Sequence, residues 1–373
     1  MRKWDKKTLN ELKDYYSLMY EYSSNDPFRQ NEYYNTISSL NYIASLNTGL
    51  HIALPSKVKY VDVVNSDLGI LSTYGHYCPI LRTMQPYYDN YYIGNSNLKN
   101  VKSDPKKLLQ VTDDFYEDFY DTITLSYREI RKWFDTNMMF FNISKDKICS
   151  GETYGVYGTG ISFYSIGIAN TIQDYISVIH EAAHGINNNV NPNIMYDQEK
   201  YCFIEADALF MELIGADFVA NSLNAKKEIF KLKLDTLKDY LYSCDVICTK
   251  MDMYNELSKN DKYNKKEAIS FLKNGLGCDK QYIKDVTETY ISELFHYIIS
   301  YLTAIELYQL YKTDPDAAII HYIQIRDVKG LSNVEYLEYV RSLGINPGEN
   351  LEAYISSLLK IDKEKKLIYE KKI

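Results

Sequence analysis

A chain of 373 residues, 46% hydrophobic and 25% charged, can build two or three domains or one large bilobed body around a sizeable core. Proline (8) and glycine (16) are scarce, which argues against a many-turned β-sandwich and against a disordered chain, and favours helices. A net charge of −8 without a dense Lys/Arg patch argues against nucleic acid as a partner, and no window approaches the roughly eighteen uninterrupted apolar residues of a membrane span.

Tyrosine is the compositional oddity, at 38 residues. Coding bias from an AT-rich genome explains it in bulk, and some of these rings, apolar with a polar tip, suit the wall of a peptide-binding groove. The start Met1-Arg2-Lys3-Trp4-Asp5 is charged and no apolar targeting segment follows, so a cytoplasmic protein with reduced thiols is expected. Among the six cysteines, Cys244 and Cys248 lie four apart on an expected helix. No second Cys/His pair sits at finger spacing, so they are read as buried thiols.

In chain order, the N-terminal third reads as helices, with Asn25-Asp26-Pro27 as a helix start. Gly94-Asn95-Ser96-Asn97 is the best linker candidate. Ser103-Asp104-Pro105 opens a helix expected over residues 106–136. From Lys147 to Ile168, glycines and β-formers predict a hairpin and strand. Asn170 or Thr171 then begins a helix through His184, a polar turn is expected over Asn187 to Asn193, and a second helix over Glu199 to Ser222. More helices fill the remainder, one of them after Thr313-Asp314-Pro315.

The sharpest feature is His180-Glu181-Ala182-Ala183-His184. On a helix, residues i and i+4 share a face, so two imidazoles at this spacing can reach one Zn²⁺. Glu181, about one hundred degrees round the helix, can lean over a metal-bound water and act as general base and acid. The flanking Tyr175, Ile176, Val178 and Ile179 make the helix largely buried, and buried histidines need partners. A catalytic zinc needs a third protein ligand and an open position. No histidine occurs between His184 and His296, so a carboxylate of the next helix is expected: Glu205, Asp207 or Glu212. Glu205, flanked by Phe203, Ile204, Ala208 and Leu209, is costly to bury without a metal or partner. Glu212, two turns on, is placed as a group orienting a ligand histidine, and Asp207 as an ordinary residue on another face.

These residues resemble the thimet oligopeptidase and oligoendopeptidase F family of zinc peptidases, of the gluzincin type. The resemblance runs from the glycine-containing hairpin after Cys149, through Asn170-Thr171-Ile172-Gln173-Asp174 and the His-Glu-x-x-His motif, to Phe203-Ile204 with Glu205 21 residues after His184 and Glu212 seven later. Phe295 to Ala304 resembles the family's late tyrosine-rich helix, and Leu343-Gly344-Ile345-Asn346 its C-terminal end. The resemblance implies a mainly α, zincin-type helical bilobed body with a small β-sheet or hairpin beside the active-site helix. It implies one Zn²⁺ on His180, His184 and Glu205, with Glu181 catalytic and an oxyanion donor from the late helix: Tyr301 as the best match, then Tyr297, with His296 as a further candidate. Residues 1–105 would form part of one cleft wall and residues 106–373 the catalytic region. Only 179 residues precede His180, far fewer than in the family, which implies a more open cleft or one closed by homo-oligomerisation.

The expected activity is hydrolysis of short peptides, the substrate pairing along an edge strand near Ser162 to Gly167. Two alternatives are a carboxypeptidase or dipeptidase of the same clan, and a zinc-bearing peptide-binding protein that has lost turnover. Against the latter stands Glu181, an acid that a retired site has no chemical need to keep.

Overall fold

The computed structural model describes residues 2–3, 6–46, 59–93, 98, 101, 103–121, 139–144, 151–190, 202–259, 263–361 and 368–370. A two-residue strand β1 (Arg2–Lys3) precedes helices α1 (Lys6–Tyr22) and α2 (Pro27–Leu46). Asp26 Oδ1 accepts the Arg29 amide at 3.2 Å, as the Asp-Pro start implied. Next come α3 (Tyr60–Tyr74), α4 (Cys78–Asn90), a short strand β2 (Tyr91–Ile93) and α5 (Pro105–Asp121). Asp104 Oδ1 accepts the Lys106 amide at 2.8 Å. The helix expected over 106–136 is seen as far as Asp121; its remainder and the linker at residues 94–97 lie outside the described residues.

Strands β3 (Met139–Ser144), β4 (Gly151–Gly155) and β5 (Ser162–Gly167) join β1 in one sheet of order β1-β3-β5-β4. β3 is parallel to β1 and β5, and β4 returns antiparallel to β5. The connecting turn uses Gly158 and Gly160 at φ 68° and 67°, where a side chain would be strained. β5 is buried along its whole length between β3 and β4. This corrects the expectation that Ser162 to Gly167 offers an edge to a peptide. Among the described residues, the outer strand on this side of the sheet is β4.

Helix α6 (Gln173–Val190) packs across β4 and β5 and carries the His-Glu-x-x-His motif. It continues past His184, so Asn187 to Val190, expected to turn, are helical; residues 191–201 lie outside the described residues. Helix α7 (Ala206–Ser222) lies against it at close range: a Cβ on Gly215 would stand 2.9 Å from Ile179 Cδ1. The 33-residue α8 (Lys226–Ser258), about 50 Å long, runs beside α4 and α7. Then follow α9 (Lys265–Ser270), α10 (Lys280–Glu288), α11 (Phe295–Tyr311), α12 (Pro315–Asp327), α13 (Asn333–Ser342), α14 (Leu351–Ile361) and a strand β6 (Ile368–Glu370) paired antiparallel with β2. Asp314 caps α12 through the Ala317 amide at 3.1 Å, and Ser332 with Glu335 forms a capping box on α13.

The apolar residues settle into two clusters. In the smaller, Leu9, Leu40 and Ile43 of α1 and α2 meet Val156, Ile161 and Phe163 at the β4–β5 turn. In the larger, α3 and α4 merge with α5 to α8 and α11 to α14. Residues 1–105 therefore divide, one helix pair standing on the sheet and the other sharing the main core. Within that core Lys250 of α8 and Asp67 of α3 form an ion pair with side chains 1% and 0% exposed, Nζ to Oδ2 at 2.6 Å. Tyr254 donates to the same oxygen at 2.6 Å, and Asp67 Oδ1 accepts the Ile291 amide at 2.7 Å. The expectation of a mainly α body with a small sheet beside the motif helix is met.

Candidate metal centre

The start of α6 is fixed from several sides. Asp174, 2% exposed, accepts the amides of Ala169 (3.0 Å) and Thr171 (3.3 Å) and the hydroxyl of Ser103. Asn170 takes φ 56°, a left-handed turn that a short polar side chain tolerates. Tyr116 of α5 ties the helix down further on, donating to the Ile179 carbonyl at 2.7 Å. The motif side chains are thus presented by a helix held at its entry and along its flank.

His180 and His184 converge, with their Nε2 atoms 3.0 Å apart. Glu205 Oε2 lies 3.2 Å from His180 Nε2 and 3.0 Å from His184 Nε2. Glu205 occupies the position just before α7, not its interior as expected, and from that cap position its carboxylate reaches back over α6. The three side chains are 8–13% exposed. A tetrahedral ion with bonds of about 2.0–2.1 Å wants its donors about 3.3 Å apart, close to this triangle. Two imidazole nitrogens at 3.0 Å cannot face each other with lone pairs alone; a proton or a cation must lie between them. Among the described residues this is the one group of three metal-competent side chains whose donor atoms meet so closely.

The electrostatics agree with the geometry. Burial pushes both imidazoles down, but the carboxylates of Glu205 and Glu212 against the His180 ring, and the charge of Glu205 beside His184, outweigh it and raise both. Burial likewise opposes the Glu205 carboxylate, yet the two imidazoles hold it well below the ordinary range. Glu212 Oε1 sits 3.1 Å from His180 Nδ1, on the ring's far side from Glu205, a charge contact without the geometry of a hydrogen bond. Glu212 thus lies next to the imidazole it was expected to orient.

Glu181 is 5% exposed and points toward β4. Thr153 donates to its Oε2 at 2.5 Å and to its backbone carbonyl at 3.2 Å. Gly151 leaves room for the carboxylate: a Cβ there would fall 2.4 Å from Glu181 Oε1. Neither partner was singled out from sequence, although both lie on the strand beside the motif helix.

The late helix α11 sorts its candidates by depth. Tyr297, 37% exposed, stands close enough to the site that the charge of Glu205, then burial, then Glu181 and Glu212 raise its hydroxyl pKa, so it remains an O–H donor. The His296 ring lies tilted beside that of Tyr297, 4.3 Å between centroids; its Nδ1 lies 3.2 Å from the Ser292 carbonyl, and burial lowers its pKa against the pull of Glu205. Tyr301 is 1% exposed and packed into the core, its ring stacked on Tyr240 at 4.0 Å and its hydroxyl facing Tyr354. The first-choice tyrosine is therefore a core residue, and the second faces the acids of the site. Asp207, expected to be ordinary, is 8% exposed; burial lifts its pKa to about 6, opposed by His184 and the Ala208 amide. Cys244 and Cys248 are buried thiols, as expected.

No protein-family model matches the sequence, and no curated protein matches it. In fold, however, it resembles solved peptidases. A Chlamydophila abortus structure named as a peptidase aligns with TM-score 0.53 and 13% identity over 81% of this chain and 54% of that one. PZ peptidase A, solved with an inhibitor, aligns with TM-score 0.50 and 12% identity over 92% and 66%. A structure from Bacillus anthracis str. Ames named as an oligoendopeptidase F gives 0.48 and 12% over 92% and 64%. This chain thus spans about half to two thirds of the length of these neighbours. The likeness carries the fold, and it is the fold that the motif pattern implied.

Proposed function

We propose that this chain is a metal-dependent peptidase, zinc in preference to other divalent ions, acting on short peptides. The observation that carries the reading is the convergence of His180, His184 and Glu205 on one point, with Glu181 alongside. Two imidazoles and one carboxylate leaving an open position suit zinc better than harder cations. When bound, the ion would polarise a peptide carbonyl and lower the pKa of water toward about 7.

The remaining chemistry belongs to the chain. Glu181 accepts the proton of the attacking water and passes it to the departing amine, the general-base and general-acid parts. Thr153 and the gap at Gly151 hold its carboxylate in line. Tyr297 donates its hydroxyl to the oxyanion of the tetrahedral intermediate, a part its exposure suits and the burial of Tyr301 does not. The peptide backbone pairs with the outer edge of β4, whose residues Gly151 to Thr153 lie next to Glu181.

Glu181→Gln tests this directly. The variant should retain one equivalent of metal by elemental analysis and lose at least about 10²-fold in turnover of a short-peptide pool. Turnover at the wild-type rate with metal in place would overturn the reading.

A further inference from the structure

Beside the metal centre lies a cavity of ≈ 370 Å³ between the start of α6 and the helices α7, α8 and α11. Its walls include the rings of Tyr240 and Tyr297 and the side chain of Leu294; Gln173 stands at the α6 end. The charged side chains in the lining are both acids, Glu212 and Asp239. Glu212 is already engaged by His180 Nδ1. Asp239, on an exposed turn of α8, takes part in no salt bridge among the described residues. Asp235, one turn away on α8, adds negative charge and Lys238 partly offsets it, but Lys238 is not part of the lining. The cavity shares Glu212 and Tyr297 with the site, which puts it within reach of a molecule lying across the metal centre.

We propose that this cavity is a substrate subsite that takes a cationic group of the peptide, an ammonium or guanidinium. An apolar stem would lie between Tyr240 and Tyr297, with the charge at Asp239. The inference rests on the peptidase reading. Its physical basis is that a lysine or arginine presents a methylene stem to aromatic walls and a charge to a carboxylate, and a ring face attracts the same cation. An acidic side chain would meet Asp239 and Glu212 as like charges, and a neutral one would leave Asp239 without a partner. The shared chemistry comes from two sources, an internal Lys or Arg side chain or the free amino terminus.

Equilibrium binding to the metal-loaded full chain carrying Glu181→Gln separates the subsite from turnover. The probes are short peptides of one sequence, blocked at both ends, with lysine, norleucine or glutamate at each position in turn. A matching set has a free amino terminus. At low salt, one lysine position should bind about two- to fivefold tighter than norleucine, with glutamate weakest, and the ratio should fall as salt rises. Adding Asp239→Asn should bring the lysine-to-norleucine ratio near one, and Asp239→Lys should invert the preference toward glutamate. A preference that appears only with the free terminus assigns the cavity to the amino end. Equal affinity for lysine and norleucine peptides in both sets, or a lysine preference untouched by Asp239→Asn, would overturn the subsite and leave the peptidase reading standing. Absence of cleavage by the wild-type chain, with the lysine preference intact, would overturn the peptidase reading instead.

Discussion

Gly151 marks the point where one atom decides whether Glu181 has a seat. A Cβ would stand 2.4 Å from its Oε1 and 2.7 Å from its Cγ, closer than non-bonded atoms allow. In Gly151→Ala the carboxylate must swing away, while His180, His184 and Glu205, whose atoms are not the ones this Cβ would meet, keep their places. We expect full metal content by elemental analysis and a fall in kcat on the order of 10²-fold, the loss that about 1 Å of misplacement brings. Unchanged kcat would show that Glu181 is not aligned by this contact. The converging trio was legible in sequence because His180 and His184 follow from helical spacing alone and Glu205 was the acid most awkward to bury. The tyrosines were not. Tyr297 and Tyr301 are four apart and share a face of α11, so spacing cannot rank them; the rank is set by Tyr240 and Tyr354, which pack over Tyr301 from distant parts of the chain. Asp207 was misjudged for the same reason, since its burial comes from tertiary packing around the start of α7.

Elements far apart in the chain are joined by the buried network of Asp67, Lys250 and Tyr254. Asp67 lies on α3, Lys250 and Tyr254 on α8, and the bonds to the Ile291 amide and the Thr289 carbonyl bolt down the segment leading into α11. Two charges removed from water are tolerated when paired, and severing the pair leaves one stranded. Asp67→Ala should therefore destabilise the chain by about 3–5 kcal/mol in urea unfolding. Asp67→Leu together with Lys250→Met should recover most of that loss. A double variant as unstable as the single one would mean that the hydrogen bonds to the α11 segment, not the charges, carry the stability. Nothing in sequence pairs residue 67 with residue 250, whereas the Asp-Pro helix starts at Pro27, Pro105 and Pro315 were readable because capping is a local event. Sheet order divides along the same line. Ser162 to Gly167 was recognisable as a strand from its own residues, but its interior place depends on β3 and β4 lying on either side, β3 brought from earlier in the chain.

At the scale of the whole molecule, two helices and a cap carboxylate meet at a point that either protons or a metal must occupy, so the stripped and loaded chains should answer pH in opposite senses. In the stripped chain His180 and His184 have raised pKa values and so add stability that is complete below their unfolded value of about 6.5 and is lost as pH rises through the folded values. Glu205, held low, adds stability that is present above its unfolded value of about 4.3 and is lost on acidification. The stripped trio therefore contributes most between roughly pH 4.5 and 6.5. The metal binds deprotonated imidazoles, so its affinity climbs over the range where the proton-held form weakens. Free ion at about 100 times Kd should add about 2.7 kcal/mol to the loaded chain. The measurement is the difference in Tm between loaded and stripped protein from about pH 5.5 to pH 8, in which all titrations away from the site cancel. That difference should widen steadily with pH, and in Glu205→Gln it should be smaller at every pH. A difference that stayed flat or narrowed would mean that no ion replaces protons on His180 and His184, and the centre would then be a buried hydrogen-bonded trio and not a metal site.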